Sequence, residues 1–222
     1  MSACRILVVE DRDSLRRMLD RALSGEGYVV ETAASGEAAL ELIAERGYLY
    51  DSSIFPGPFM WLFMLYGKLF VRHADHQLGS IAAPIAPARP YVPSAGKLHR
   101  PAPPAPSGVS SLVEIPLSLA PAVGIPFYGT LMRMLGPRVF DLCLRAFGRR
   151  QSVLHYLLHL FDLVEIDGSP LAGAIRSTPG VGLPFDRRQA FTAHVMDRLT
   201  EVGEPAPLRE VAAAYREEHE MV

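Results

Sequence analysis

Three groups of side chains have types and spacings that could carry chemistry. Glu10, Asp11 and Asp13 stand just after the apolar run "RILVV". Carboxylate oxygens suit a hard divalent cation, and open α/β sheets place ligands at the C-terminal ends of their strands. The alternative is a solvated acidic turn. His155 and His159 are four residues apart in "SVLHYLLHLFDLVE", with Asp162 close behind. On a strand or a helix that spacing puts both imidazoles on one face. A near-neutral imidazole suits proton transfer, and no third ligand lies nearby for a metal. The alternative for each is a hydrogen-bonded core histidine. Asp51, in "YLYDSSIFPG", is the third candidate, an acid with Pro56-Gly57 behind it.

The elements that must position these residues follow from periodicity. "RILVV" reads as a short strand covered on both faces. "SLRRMLDRALSGEG" reads as a helix with Leu15, Met18, Leu19, Ala22 and Leu23 on one stripe. "YVVETA" is a second strand. "SGEAALELIAERG" is a second helix, capped by Ser35 and stopped at Gly47. The order β-α-β-α opens a parallel α/β fold.

Beyond Pro58 the pattern changes. "FMWLFMLYGKLFV", 59–71, is too short to span a bilayer and reads as a buried or interfacial helix. Prolines recur through 84–107, which predicts a long, partly extended loop. "SLVEIPLSL" is strand-like up to Pro116. "YGTLMRMLGPRVFDLCLRAFG" is two helical pieces divided at Gly136-Pro137, and "SVLHYLLHLFDLVE" fits strand or helix equally. "DGSPLAGAIRSTPGVGLPF" is loop-like, and two helices close the chain.

The 222 residues suit one sizeable domain or two small ones. A net charge of −2 gives no electrostatic reason to expect nucleic acid or an anionic membrane. Cys4 and Cys143 make no disulfide framework and read as reduced core thiols. No basic start followed by a long apolar core marks a signal peptide. A cytoplasmic protein without a transmembrane segment is the expectation.

Residues 5–47 resemble the N-terminal part of response-regulator receiver domains. The features that coincide are an apolar strand ending in paired acids, an "LRRML" helix, "EGYVVETA" and "SGEAAL". The resemblance implies that Glu10 and Asp11 bind Mg²⁺, with a histidine kinase as partner. In the family a phosphoacceptor Asp ends the third strand, and Asp51 is the available match. Only three residues separate it from Gly47, too few for the strand that should place it, and its Pro-Gly falls one residue late. The later Thr or Ser and the Lys of the family have no convincing counterpart.

From Gly47 onward the chain resembles the C-terminal portion of NodB-type polysaccharide deacetylases. "GYLYDSSIFPGP", "LVEIPLSLAPAVGIPFYGT", "VLHYLLHLFDLVEIDGSPL" and the closing "DRRQAFTAHVMDRLTEVGEPAPLREVAAAY" carry it by their order. The resemblance implies a glycan substrate, a Zn²⁺ or similar divalent ion, and His159 as the proton donor to the leaving amine, with Asp162 beside it. The family's early motifs are missing: the paired metal and base aspartates, the H-x-x-x-H element and Arg-Pro-Pro-Tyr. "HADH" at 73–76 has the wrong spacing, and "ARPY" at 88–91 comes after the Asp-Ser-Ser stretch instead of before it.

The expectation is therefore an α/β chain made of two parts. Residues 1–47 form a truncated receiver-like βαβα segment. Residues 48–222 form a deacetylase-like portion, with parallel βα units in an incomplete barrel or open sheet. The function expected is that of a catalytically incomplete polysaccharide deacetylase; the alternative is a receiver-like protein of a two-component phosphorelay.

Overall fold

The computed structural model describes residues 4–70, 81–94, 97–103, 112–121, 124–147, 153–159, 162–165, 168 and 183–220. The described chain forms two compact units. Residues 4–49, with Leu112, make the first, and the remainder from Tyr50 onward makes the second.

In the first unit β1 (Arg5–Val9) runs parallel to β2 (Val29–Ala33), with Arg5 opposite Val29 and Val9 opposite Ala33. Helix α1 (Asp13–Gly25) connects them, and α2 (Gly36–Glu45) follows β2. The ends obey local chemistry. The Ser35 hydroxyl accepts the Ala38 amide at 3.2 Å, satisfying one of the free donors of the first helical turn. After α1 the amides of Gly27 and Tyr28 turn back to Ser24 and Leu23, and Gly27 sits at φ 87°. The core is thin: Val8, Ala33 and Ala39 are buried, whereas Val9, Val29 and Met18 are exposed. Glu31 joins Arg5 and Arg46 in a chain of ion pairs across the strands. Cys4 is exposed, contrary to the expectation of a core thiol, whereas Cys143 is buried.

The second unit mixes helices with short strand pairs. β3 (Tyr50–Asp51) pairs in parallel with β6 (Val113–Glu114). The proline-rich region contains a 3₁₀ turn (Ala83–Ile85) and an antiparallel pair, β4 (Pro93–Ser94) with β5 (Lys97–Pro101). It is thus locally ordered over its described residues. Short β7 (Leu119–Ala120) and β8 (Ile125–Pro126) pair antiparallel.

The helices are α3 (Phe59–Phe70), α4 (Gly129–Leu135), α5 (Pro137–Phe147), α6 (Phe185–Thr200) and α7 (Leu208–Glu220). Among the described residues no helix is long and apolar enough to cross a membrane. Gly136, at φ 88°, separates α4 from α5 at the expected Gly-Pro break.

The main core is aromatic. Phe127 is fully buried between Phe140, Phe147 and Tyr156, with ring centroids 5.1, 4.9 and 5.0 Å away. Leu131, Met132, Leu144 and Val195 complete it from α4, α5 and α6. A smaller cluster sets Val113 and Ile115 against Ala212, Val211 and Tyr215 of α7.

Gly57 ties the Asp-Ser-Ser stretch to this framework. Its amide donates to the Pro84 carbonyl at 2.9 Å, and its φ is +98°. A Cβ there would lie 2.8 Å from Leu119 Cδ1 and 3.2 Å from the Gly124 carbonyl. Gly57→Ala should therefore lower the unfolding free energy by about 1–3 kcal/mol, read as a lower urea midpoint. Gly25→Ala, with open space around it, should lose nothing.

Candidate functional site

Each candidate falls in a defined place. Glu10 closes β1, and Arg12 holds its Oε1 through both the backbone amide (3.1 Å) and Nε (3.0 Å). These hydrogen bonds hold the Glu10 carboxyl below its usual pKa. Asp11 is exposed beside it, and Asp13 pairs with Arg16 and Arg17. An acidic turn already served by three arginines, with one carboxylate of the pair taken by Arg12, fits Mg²⁺ poorly. Such an ion asks for octahedral oxygen ligands.

Asp51 lies in the second unit, on β3. Its Oδ1 accepts the Ser52 amide at 2.9 Å, and its Oδ2 accepts the Ser53 hydroxyl at 2.7 Å. Both carboxylate oxygens are engaged in an Asx-type turn. Its cross-strand neighbour is Glu114, the acid of the "LVEIPL" stretch, which was not among the candidate site residues. Glu114 is fully buried, and its Oε1 accepts the Ile54 amide at 3.1 Å. Burial, and after it the Asp51 charge, push the Glu114 carboxyl up to about 8. Ser52 Oγ donates to the Ile115 carbonyl at 2.8 Å, and the Ile115 amide donates to the Asp51 carbonyl at 2.8 Å.

On the other edge of β6, Tyr91 exchanges both backbone hydrogen bonds with Glu114. Its phenol is buried, which with the nearby carboxylates raises its pKa, and its hydroxyl donates to the Leu98 carbonyl. The "ARPY" stretch is thus brought beside Asp-Ser-Ser in space although it follows it in the chain.

The same hydrogen-bonded array continues to the histidines. Ser118 and His155 exchange bonds: the Ser118 amide donates to the His155 carbonyl at 3.2 Å, and the His155 amide donates to Ser118 Oγ at 2.9 Å. His155 Nδ1 contacts the Pro116 carbonyl at 3.3 Å, the satisfied role of a structural histidine. Leu157 forms a parallel bridge with Tyr128. Residues 153–159 are neither helix nor regular strand, which is why their periodicity fitted both.

His159 is half-buried, and its amide donates to Asp162 Oδ2 at 2.9 Å. Asp162 is fully buried, with its other oxygen on the guanidinium of Arg133. Asp162 can therefore position the His159 segment; it is not itself open to solvent. A Cβ at Gly129 would come within 2.9 Å of Asp162 Oδ2, so a residue without a side chain lets the carboxylate seat against α4.

Among the described residues no three His, Cys, Asp or Glu side chains converge as a metal site. The donor set they offer does not fit the Zn²⁺ that the deacetylase resemblance implies. His73 and His76 of "HADH" lie outside the described residues.

Glu114 could have been noticed in the sequence. It is an acid embedded in the apolar run "LVEIPL", where a charged side chain requires a reason. No family model, no curated protein and no solved structure matches the chain.

Proposed function

We propose that the second unit is a glycan-binding relative of the NodB-type polysaccharide deacetylases, catalytically incomplete on its own. The observation that carries this reading is spatial. The Asp-Ser-Ser stretch, the Leu/Glu/Pro strand and the histidine segment, which carry the resemblance, are hydrogen-bonded in succession. Asp51 is paired to Glu114, and Ser118 to His155. The two parallel contacts, β3 with β6 and Tyr128 with Leu157, suit the closing portion of a parallel barrel or open sheet.

In this reading His159 is the group that meets substrate. Asp162 and Arg133 hold its backbone in place from behind. The half-buried imidazole can offer a proton to a leaving amine. Among the described residues no donor set holds the metal-activated water of the family, so the activity we expect is binding without turnover.

The test is twofold. N-acetylated chitooligosaccharides with added Zn²⁺ or Co²⁺ should release no acetate above the protein-free control. The same oligomers should perturb the NMR signals of His159 and Ser53 saturably. His159→Ala should weaken that binding tenfold or more, a loss of at least ~1.4 kcal/mol. Metal-dependent turnover would overturn incompleteness, and absence of binding would overturn the glycan reading.

The second reading is a receiver-like phosphorelay module. It has the in-register parallel β1–β2 pair with Glu10 at its C-terminal end in its favour. Acetyl-phosphate labelling that disappears in Asp51→Ala would promote it.

A further inference from the structure

The geometry points to the β3–β6 pair as a proton-dependent joint, in which Glu114 is folded in as a neutral carboxyl that donates its hydrogen to the Asp51 carboxylate. Glu114 is fully buried, and one oxygen is committed to the Ile54 amide at 3.1 Å. The other, Oε2, is buried without a hydrogen bond; the Ser53 amide is near enough to favour the charged form, but burial and the Asp51 charge outweigh it. A buried carboxylate oxygen left in that state is costly. A protonated oxygen is not, because it becomes a donor, and the acceptor directly across the strand pair is Asp51. Asp51 is prepared for that part. It already receives the Ser52 amide and the Ser53 hydroxyl, so it serves there as an acceptor.

Among the described residues no cation acts on the Glu114 carboxyl. Among the described residues the titratable groups beside Glu114 are Asp51 on β3, whose charge disfavours a second negative one, and the buried neutral phenol of Tyr91 across the other edge. Helix α7 packs against Val113 and Ile115, which by alternation lie on the face of β6 opposite Glu114. Strand β5 reaches this side through Leu98, in the cluster of Ile54, Ala86 and Tyr91. Its Lys97 and His99 fall on the other face of the strand by alternation.

The sign of the effect follows. An unfolded Glu114 ionises near its ordinary value of 4.5, and the folded one near 8. Between those values the folded state holds one more proton than the unfolded state. Stability is therefore full below pH 4.5, falls as pH rises through this window and levels off above about 8. Above it, two carboxylates face each other across two short strands. That repulsion acts on the stretch in which Ile54 is bonded to Glu114 and Ser52 to Ile115. The joint does not depend on what the unit binds.

Two measurements on the full chain test this. Infrared titration of the wild type should show a protonated-carboxyl C=O band persisting at pH 7 and fading near pH 8. Disappearance of the band by pH 6 would overturn the proposal. Denaturant titration from pH 5 to 9 should show the folding equilibrium constant falling by up to tenfold per pH unit below pH 8. In Glu114→Gln, which keeps the shape and a donor but cannot ionise, that one-proton slope should vanish together with the infrared band. Parallel pH profiles for the wild type and Glu114→Gln, or a band unchanged in the variant, would equally refute it. If the variant does not fold, the wild-type infrared titration decides alone.

Discussion

Asp162→Ala should lower the unfolding free energy by about 3–5 kcal/mol, the range for breaking a buried ion pair by removing one partner. Asp162 joins three elements at once. One oxygen meets the guanidinium of Arg133 on α4, and the other accepts the His159 amide. Its own amide donates to the His159 carbonyl at 2.9 Å, and its carbonyl accepts the Thr192 hydroxyl of α6 at 3.4 Å. Alanine keeps the last two contacts and removes the first two. What remains is a guanidinium whose side chain is 2 % exposed, with its carboxylate gone.

Asp162→Asn, which preserves shape and acceptor but not charge, should cost less. The double replacement Arg133→Met with Asp162→Leu should recover much of the loss, because an apolar pair leaves no orphaned charge. Urea midpoints of the wild type and these three variants give the comparison. A loss below 1 kcal/mol in Asp162→Ala would mean that the pair is solvated and does not organise the His159 segment.

Phe127→Ala should be comparably severe, at about 3–5 kcal/mol. Phe127 follows β8 directly, with its amide bonded to the Ser118 carbonyl at 2.9 Å, so its backbone cannot easily move to close a hole. Its ring stacks on Phe140 with planes 10° apart and meets Tyr156 edge-on at 72°. Such contacts add about 0.5–1.5 kcal/mol each to area burial. Phe127→Leu keeps most of the apolar volume and should lose roughly half as much. Calorimetric midpoints should fall in the order wild type, Leu, Ala; equal midpoints for Leu and Ala would show that the aromatic faces contribute nothing beyond volume.

Much of the first unit was legible because its signals are local. "RILVV" is β1 to the residue, and Ser35 and Gly27 act at helix ends as their chemistry requires. The Gly136-Pro137 break was equally visible, since both residues act on their own backbone. The candidate site was not legible in the same way. Asp51 and Glu114 are 63 residues apart, and no periodicity encodes their register. The Asp-Ser-Ser stretch did suggest chemistry, but its burial partner is set by tertiary packing. Residues 153–159 misled for a related reason. They are held by isolated backbone bonds, His155 to Ser118 and Leu157 to the Tyr128-Gly129 stretch, without a continuous ladder. The proline-rich region looked like an open loop because prolines exclude regular strands. Here they flank a short pair instead, with Pro93 and Pro101 at its open end.

The second unit's described strands come as three separate two-stranded pairs. A lone pair of this length is marginal in water. None of them can act as an independent opening unit in amide hydrogen exchange. The Ile115 amide, bonded to the Asp51 carbonyl, lies under α7, and its protection should track the undocking of that helix. Exchange at the β3–β6 pair is thus governed by detachment of α7, with the strands following.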